Sequence, residues 1–206
     1  MRLSIDKEQL KWIGGAAALF LLVLVMIELL FQQKAKRYIV ACEKTFGDLD
    51  PIQKDSIKLI VRTFDRYGDK DKNKLVYILA TAEHECSFRG IEEHRTYSAR
   101  QEAYWYTGYY GRGFVQLTHE KNYLKMSNLL GVDFVNNPHL VLKPEYAARI
   151  LVQGMMEGSF TRKPLSRYIN AEEQDYYNAR RVVNGVDRAE RIANAAESLQ
   201  QYIEMS

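Results

Sequence analysis

The chain has 206 residues, 47% of them apolar and 27% charged, a composition that rules out a disordered protein and suits one domain with an appendage. Its net charge of +3, with no long basic run, argues against a nucleic-acid partner. Two cysteines, Cys42 and Cys86, are too few for a disulfide framework.

In chain order, the first predicted element is apolar. Residues 12–31, within "KWIGGAAALFLLVLVMIELLFQQK", carry a single charge, Glu28. Twenty residues of helix reach about 30 Å, the thickness of a bilayer core. Trp12 suits one interface, and Glu28 lies near the other end, within reach of headgroups. No small-x-small site follows, so the segment reads as an uncleaved anchor over residues 1–34; burial in a larger assembly is the alternative. Basic residues flank both ends, and charge gives no orientation. Residues 35–50 read as a connector, and a mainly α domain is expected over 51–206.

Within that domain, Ile57, Ile60, Val61 and Phe64 recur at helical spacing ahead of Gly68. Leu75, Ile78, Leu79 and Ala82 repeat the pattern in "DKNKLVYILATAEHE". A polar, aromatic stretch without periodicity follows over about 87–113, as expected of a functional loop region. "HEKNYLKMSNLLG" predicts a helix closed by Gly131, and Pro144 is placed to open the next. "DYYNARRVVNG" and "DRAERIANAAESLQQYIE" predict two more, broken at Asn184-Gly185.

Four glutamates, Glu83, Glu85, Glu92 and Glu93, fall within eleven residues. Glu85 sits near a helix C-terminus, whose partial negative charge disfavours a second anion, and Phe88 and Ile91 add apolar surroundings. Both effects suit a general acid, while a carboxylate on the wetter loop beyond can stay ionised. Two carboxyls tuned apart are the working parts of a glycosidase. Solvated helix ends are the plainer explanation of such a cluster. Neither His84-Glu85 nor His119-Glu120 has a second histidine four residues after the first, so no zinc-protease motif is present. Gly111-Arg112-Gly113 follows no predicted strand and lacks a third glycine, so no dinucleotide loop is expected. Neither a cofactor nor a metal is expected.

The stretch "YYGRGFVQLTHEKNY" (109–123), with "AEHECSF", "NNPHLV" and "VVNGVDRAER" in the same order, resembles glycoside hydrolase family 19, the chitinase-like group that includes phage endolysins. The resemblance covers roughly residues 75–195, and its long central motif is the specific part. It implies a lysozyme-like fold of two helical lobes around a cleft, and cleavage with inversion by an acid and a base. Carried over, Glu85 is the acid and Glu93 the base, with Glu92 an alternative. Thr118 matches the residue that helps hold the attacking water. Gln116, Asn122 and Tyr123 match sugar-contacting positions. Arg112 looks structural, pairing with a carboxylate near the cleft, and is placed with Tyr110 among the substrate-binding residues. Tyr104, Trp105, Tyr106, Tyr109 and Tyr110 are placed either to stack on sugars or to pack the loop. Phe114 stands where the family often has proline, and Cys86 where a threonine or serine often follows the acid.

The short region between Glu93 and Tyr109 favours a compact enzyme acting on peptidoglycan strands; a chitinase, or a non-catalytic glycan-holding membrane or virion component, is the alternative. With the anchor, such an enzyme is expected in a host inner membrane with its domain in the periplasm, as in signal-anchor endolysins, tethered or released. There Cys42 and Cys86 are expected either to form a disulfide beside Glu85 or to remain two buried thiols.

Overall fold

The computed structural model describes residues 7–205, with side chains from Ala17 onward, so the expectation for the Trp12 side chain lies outside the described part. Eight α-helices carry the architecture: α1 (Lys7–Phe46), α2 (Pro51–Tyr67), α3 (Lys72–Cys86), α4 (Ala99–Trp105), α5 (Glu120–Leu130), α6 (Pro144–Glu157), α7 (Tyr176–Ala179) and α8 (Ala189–Met205). Among the described residues there is no strand, and three isolated β-bridges are the only extended pairings.

Local sequence explains the boundaries. Asp50 caps α2 by accepting from the Gln53 N–H, while the Gln53 side chain accepts from the Asp50 N–H, a reciprocal capping box with Pro51 opening the helix. Gly68 ends it, donating its N–H to the Phe64 carbonyl. Asp71 caps α3, and Gly131 and Gly158 close α5 and α6 in the left-handed conformation that favours glycine.

The core is built around α3, whose residues Lys74 to Ala82 are all buried. It packs against α8; α2 packs against α6; and α1 packs against both α2 and α8. The predicted apolar stripe of α2 is fully buried, with Ile57, Ile60 and Val61 at 0% exposure.

The expected connector behaves differently. Residues 35–46 continue α1 without a break. Ala35, Tyr38, Ala41 and Cys42 enter the core, because they repeat at three- and four-residue spacing toward α2 and α8. Only residues 47–50 are irregular. Upstream the same helix changes character. Every residue from Ala17 to Leu30 is exposed, and an 18-residue window of the helix within Ala17–Phe46 has a mean hydropathy of 1.8. The two regions meet where Arg62 of α2 pairs with Glu28 at 2.8 Å and stacks over Phe31, 3.9 Å from its centroid.

The later part of the chain also departs from expectation. "DYYNARRVVNG" gives a single turn, α7, and a 3-10 turn over Arg180–Val182 rather than a full helix. Asp175 caps that turn through the Asn178 N–H. The aromatic region holds a helix the hydrophobic pattern does not signal, α4, capped by Ser98 through the Gln101 N–H.

Cys42 and Cys86 are both free and buried, so of the two expected outcomes the structure has the pair of buried thiols and no disulfide. The Cys86 thiol donates instead to the carbonyls of Ala82 (3.3 Å) and Phe114 (3.6 Å), and burial pushes it up to about 11. Burial raises the Cys42 thiol further.

Candidate active site

Glu85 lies in the last turn of α3, with its side chain 16% exposed. Just beyond it the chain bends sharply. Ser87 and Phe88 both take positive φ (49° and 59°), a conformation that costs L side chains roughly 1–3 kcal/mol each. Burial of Phe88 at 0% exposure, edge-on to Phe46 of α1 with centroids 5.9 Å apart, holds the bend in place. The charge beside Glu85 is Arg180, 3% exposed, whose Nη1 donates to Glu85 Oε1 at 2.5 Å while its Nε donates to the Asp187 carbonyl. Sequence reasoning missed this partner, since 95 residues separate the pair.

After the bend, residues 91–93 run beside 111–113. The Glu93 N–H donates to the Gly111 carbonyl and the Gly113 N–H to the Ile91 carbonyl. This pairing sends consecutive glutamates to different surroundings. Glu92 accepts from Arg112 Nε at 2.8 Å and stays 44% exposed. Glu93 turns into a cavity of about 960 Å³ whose wall also includes Arg100, Tyr104, Gln116, Thr118 and Asn184.

The Glu93 carboxylate is held from three sides. Its Oε1 accepts from Tyr104 Oη (2.7 Å) and Gln101 Nε2 (3.0 Å), and its Oε2 accepts from the Gly111 N–H (2.9 Å). Partial burial opposes ionisation, but those donors and the charge of His119 outweigh it and keep the carboxyl below its usual range. Tyr104 is pushed the other way, up to about 12, by desolvation and by Glu93. Gln101 and Tyr104 both lie on α4, so this helix is the support of Glu93.

Thr118 and Gln116 complete that wall. The Thr118 hydroxyl donates to the Gln116 carbonyl at 2.9 Å, and Gln116 Nε2 donates to the carbonyls of Ile91 and Gly113. The glycine between glutamate and glutamine is a spacing device. A Cβ at Gly111 would lie 2.8 Å from Gln116 Oε1 and 3.2 Å from Glu93 Oε2. Gly111→Ala is therefore expected to lower turnover by about tenfold or more through misplaced side chains, with circular dichroism near that of the wild type; unchanged kinetics would remove this role. Gly113, at φ +77°, sits 3.1 Å from the Val141 carbonyl by the same construction.

Other expected site residues go elsewhere. Tyr123 is 0% exposed, and its hydroxyl donates to the Tyr110 carbonyl and accepts from Arg112 Nη1, so it supports the loop rather than facing the cavity. Arg112 is likewise buried, between Glu92, Tyr123 and the Gly108 carbonyl. Tyr110 spends its ring on Trp105 (centroids 4.1 Å apart) and on the Arg112 guanidinium (3.9 Å). Asn122 donates to the Thr118 carbonyl and borders a separate cavity of about 350 Å³ with Lys121 and Lys125. Glu85 does not line the large cavity, but the segment holding Arg180 leads to its rim: the Asn184 N–H donates to the Arg180 carbonyl, and Asn184 lies in the wall. Of the clustered aromatics, Tyr104, Trp105, Tyr109 and Tyr110 pack the loop, while Tyr106 is 76% exposed.

Comparison with known proteins agrees with this geometry. Residues 82–149 match the family model described as chitinase class I, glycoside hydrolase family 19. Chitinase 11 of Oryza sativa subsp. japonica is 61% identical over 33 residues, which take in 16% of this chain and 13% of the rice protein. Among solved structures, chitinase C from Streptomyces griseus HUT6037 superposes with a TM-score of 0.57 at 17% identity, covering 80% of this chain and 75% of its own, and the two share a fold. A bacterial family 19 chitinase aligns at a TM-score of only 0.41 and 18% identity, over 76% of this chain and 93% of its own, too low to argue from. Glu85, Glu93, Gln116 and Thr118 all lie inside the segment, residues 82–149, that matches the glycoside hydrolase family 19 model, and that segment sits in a mainly helical chain that shares its fold with chitinase C.

Proposed function

We propose that the protein hydrolyses the β-1,4-glycosidic bonds of peptidoglycan by an inverting acid/base mechanism, as an endolysin-type enzyme held at a membrane by α1. The observation that carries the reading is the Glu93 carboxylate, kept ionised on the wall of the large cavity beside Thr118. A carboxylate offers about four lone-pair positions. Three accept from Tyr104, Gln101 and Gly111, and the remaining one is on Oε2. Thr118 spends its single O–H on the Gln116 carbonyl, so its oxygen is left as an acceptor. A water donating one hydrogen to Thr118 Oγ1 and the other to Glu93 Oε2 would turn a lone pair toward the anomeric carbon. Glu93 then takes the proton as that water attacks, and Glu85 gives its proton to the departing sugar oxygen. Arg180 holds Glu85 by Oε1, leaving Oε2 to carry the proton.

Glu93→Gln is expected to lower kcat by about 10²–10⁴, whereas Glu92→Gln, which loses only a half-exposed partner of Arg112, retains most activity. Equal losses in the two variants would refute the assignment. The pH dependence has a definite sign. A depressed carboxyl value means that ionised Glu93 is present, and contributes stability, above the usual carboxylate range; both are lost as pH falls through the lowered value. Tyr104→Phe removes one stabilising donor, so the acid limb of kcat/KM should move to higher pH. An unmoved limb would assign that ionisation to another group.

The relatives named above are chitinases, so polymers of N-acetylglucosamine are the rival substrate. Reducing-end release from purified peptidoglycan and from soluble chitin, measured side by side, decides between them. The membrane reading is supported by α1 over residues 17–30, where every residue is exposed and Glu28 carries the single charge. It places the chain in a host inner membrane with its catalytic domain on the periplasmic, wall side. Resistance of the full chain to alkaline carbonate extraction tests it.

A further inference from the structure

The domain gathers cations where α1 leaves its apolar stretch. Leu30 is 59% exposed at the end of that stretch, and it borders a cavity of about 600 Å³. Lys34 and Arg37 of α1, Lys70 of the following loop and Lys72 at the start of α3 line the same cavity, and Glu204 is the one acidic residue in its wall. At 1.5 Å per residue, Lys34 stands about 6 Å beyond Leu30 and Arg37 about 10 Å beyond it. The polar layer on each side of a bilayer core is about 5–8 Å deep, so Lys34 falls within it and the long Arg37 side chain can reach back to it.

We propose that this cavity binds the phosphate headgroup of an anionic phospholipid in the membrane from which α1 emerges. The inference rests on reading residues 17–30 of α1 as the membrane anchor. Three features favour a lipid. The cavity has an apolar wall residue, Leu30, on the side of the exposed apolar run, so a phosphate within it would have its acyl chains directed along α1. Its cations come from two separate stretches, α1 and residues 70–72, brought together by the packing of α1 on α2, so the site exists only in the folded domain. The lysines also keep donors to spare. Lys34 is paired with Asp65, and Lys72 bonds Glu204 at 3.2 Å, each through one of the ammonium group's three N–H donors. Lys70 is exposed and makes no ion pair among the described residues. The domain is also held close to the anchor, since Arg62 joins Glu28 and Phe31.

The test uses the full chain reconstituted in vesicles of phosphatidylcholine alone or with one quarter phosphatidylglycerol. Labelling by an amine-reactive reagent is followed lysine by lysine. Lys34, Lys70 and Lys72 should label about fivefold or more slowly in the anionic vesicles, while Lys121 and Lys125 of α5 serve as references that hardly change. Lys70→Gln combined with Lys72→Gln, two exposed positions, should remove most of the protection at Lys34 without changing carbonate resistance. Equal labelling in both vesicles, in chains that resist extraction, would overturn the lipid site while leaving the anchor intact. Full extraction from both would overturn the anchor and the site together. Equal protection by inorganic phosphate in neutral vesicles would show a simple anion site and refute the lipid.

Discussion

Glu85→Gln should reduce kcat on the cleaved polymer by about 10²–10⁴ and leave the fold in place, because glutamine keeps the length of the side chain and an oxygen to accept from Arg180. The chemistry needs a transferable proton, which an amide cannot give to a sugar oxygen. Arg180→Met separates anchoring from acidity. It keeps the carboxyl but removes the guanidinium that fixes Oε1, and it also breaks the bond to the Asp187 carbonyl. Removing one member of a buried pair costs about 3–5 kcal/mol at the upper end, and here Glu85, at 16% exposure, recovers part of that from water. A lowered melting temperature with residual turnover is therefore expected for Arg180→Met, and near-native melting with almost no turnover for Glu85→Gln. If Glu85→Gln keeps more than a tenth of wild-type turnover, Glu85 is not the acid.

The two variants also bear on what was legible in the sequence. Glu85 and Glu93 stand out because they sit inside short motifs with fixed spacing. Helix α2 stands out by its apolar stripe, capping box and Gly68, α3 by its apolar recurrence and Asp71 cap, and α5 and α6 by their closing glycines, with Pro144 opening α6. Arg180 does not stand out, since its partner is 95 positions away and an arginine in a polar helix pattern has no local signature. The support of Glu93 by Gln101 and Tyr104 is hidden for a related reason. Helix α4 is short and buries only Gln101, so it leaves no apolar stripe to read. Tyr123 and Arg112 show a further limit: a motif position fixes a residue's importance but not its direction, and both turn inward to hold the loop that carries Gly111 and Thr118. The two cysteines, read from chain position as either a bridge or two buried thiols, are both buried and free, with the Cys86 thiol bonded to the carbonyls of Ala82 and Phe114.

The largest effect on stability is expected from the segment that reads as a connector and folds as core. A chain beginning at residue 50 would lack Ala35, Tyr38, Ala41, Cys42 and Leu49, all at 9% exposure or less. Large buried side chains contribute about 2–5 kcal/mol each when removed, and whole domains are stable by only about 5–15 kcal/mol. Losing this set should therefore unfold the domain. The loss would also strip Phe46 from Phe88, which holds the positive-φ bend beyond Glu85, so even a residual fold would lose the placement of Glu85. A chain beginning at residue 32 keeps every one of these contacts and drops the exposed apolar stretch, together with Glu28 and Phe31 and their contacts to Arg62. It should be soluble, melt cooperatively and retain hydrolysis of dissolved substrate while losing membrane retention. Thermal melts by circular dichroism, with activity on the same preparations, separate the two chains. Cooperative melting of the chain beginning at residue 50 would show that α1 is a tether after all, and would detach the anchor from the architecture of the active site.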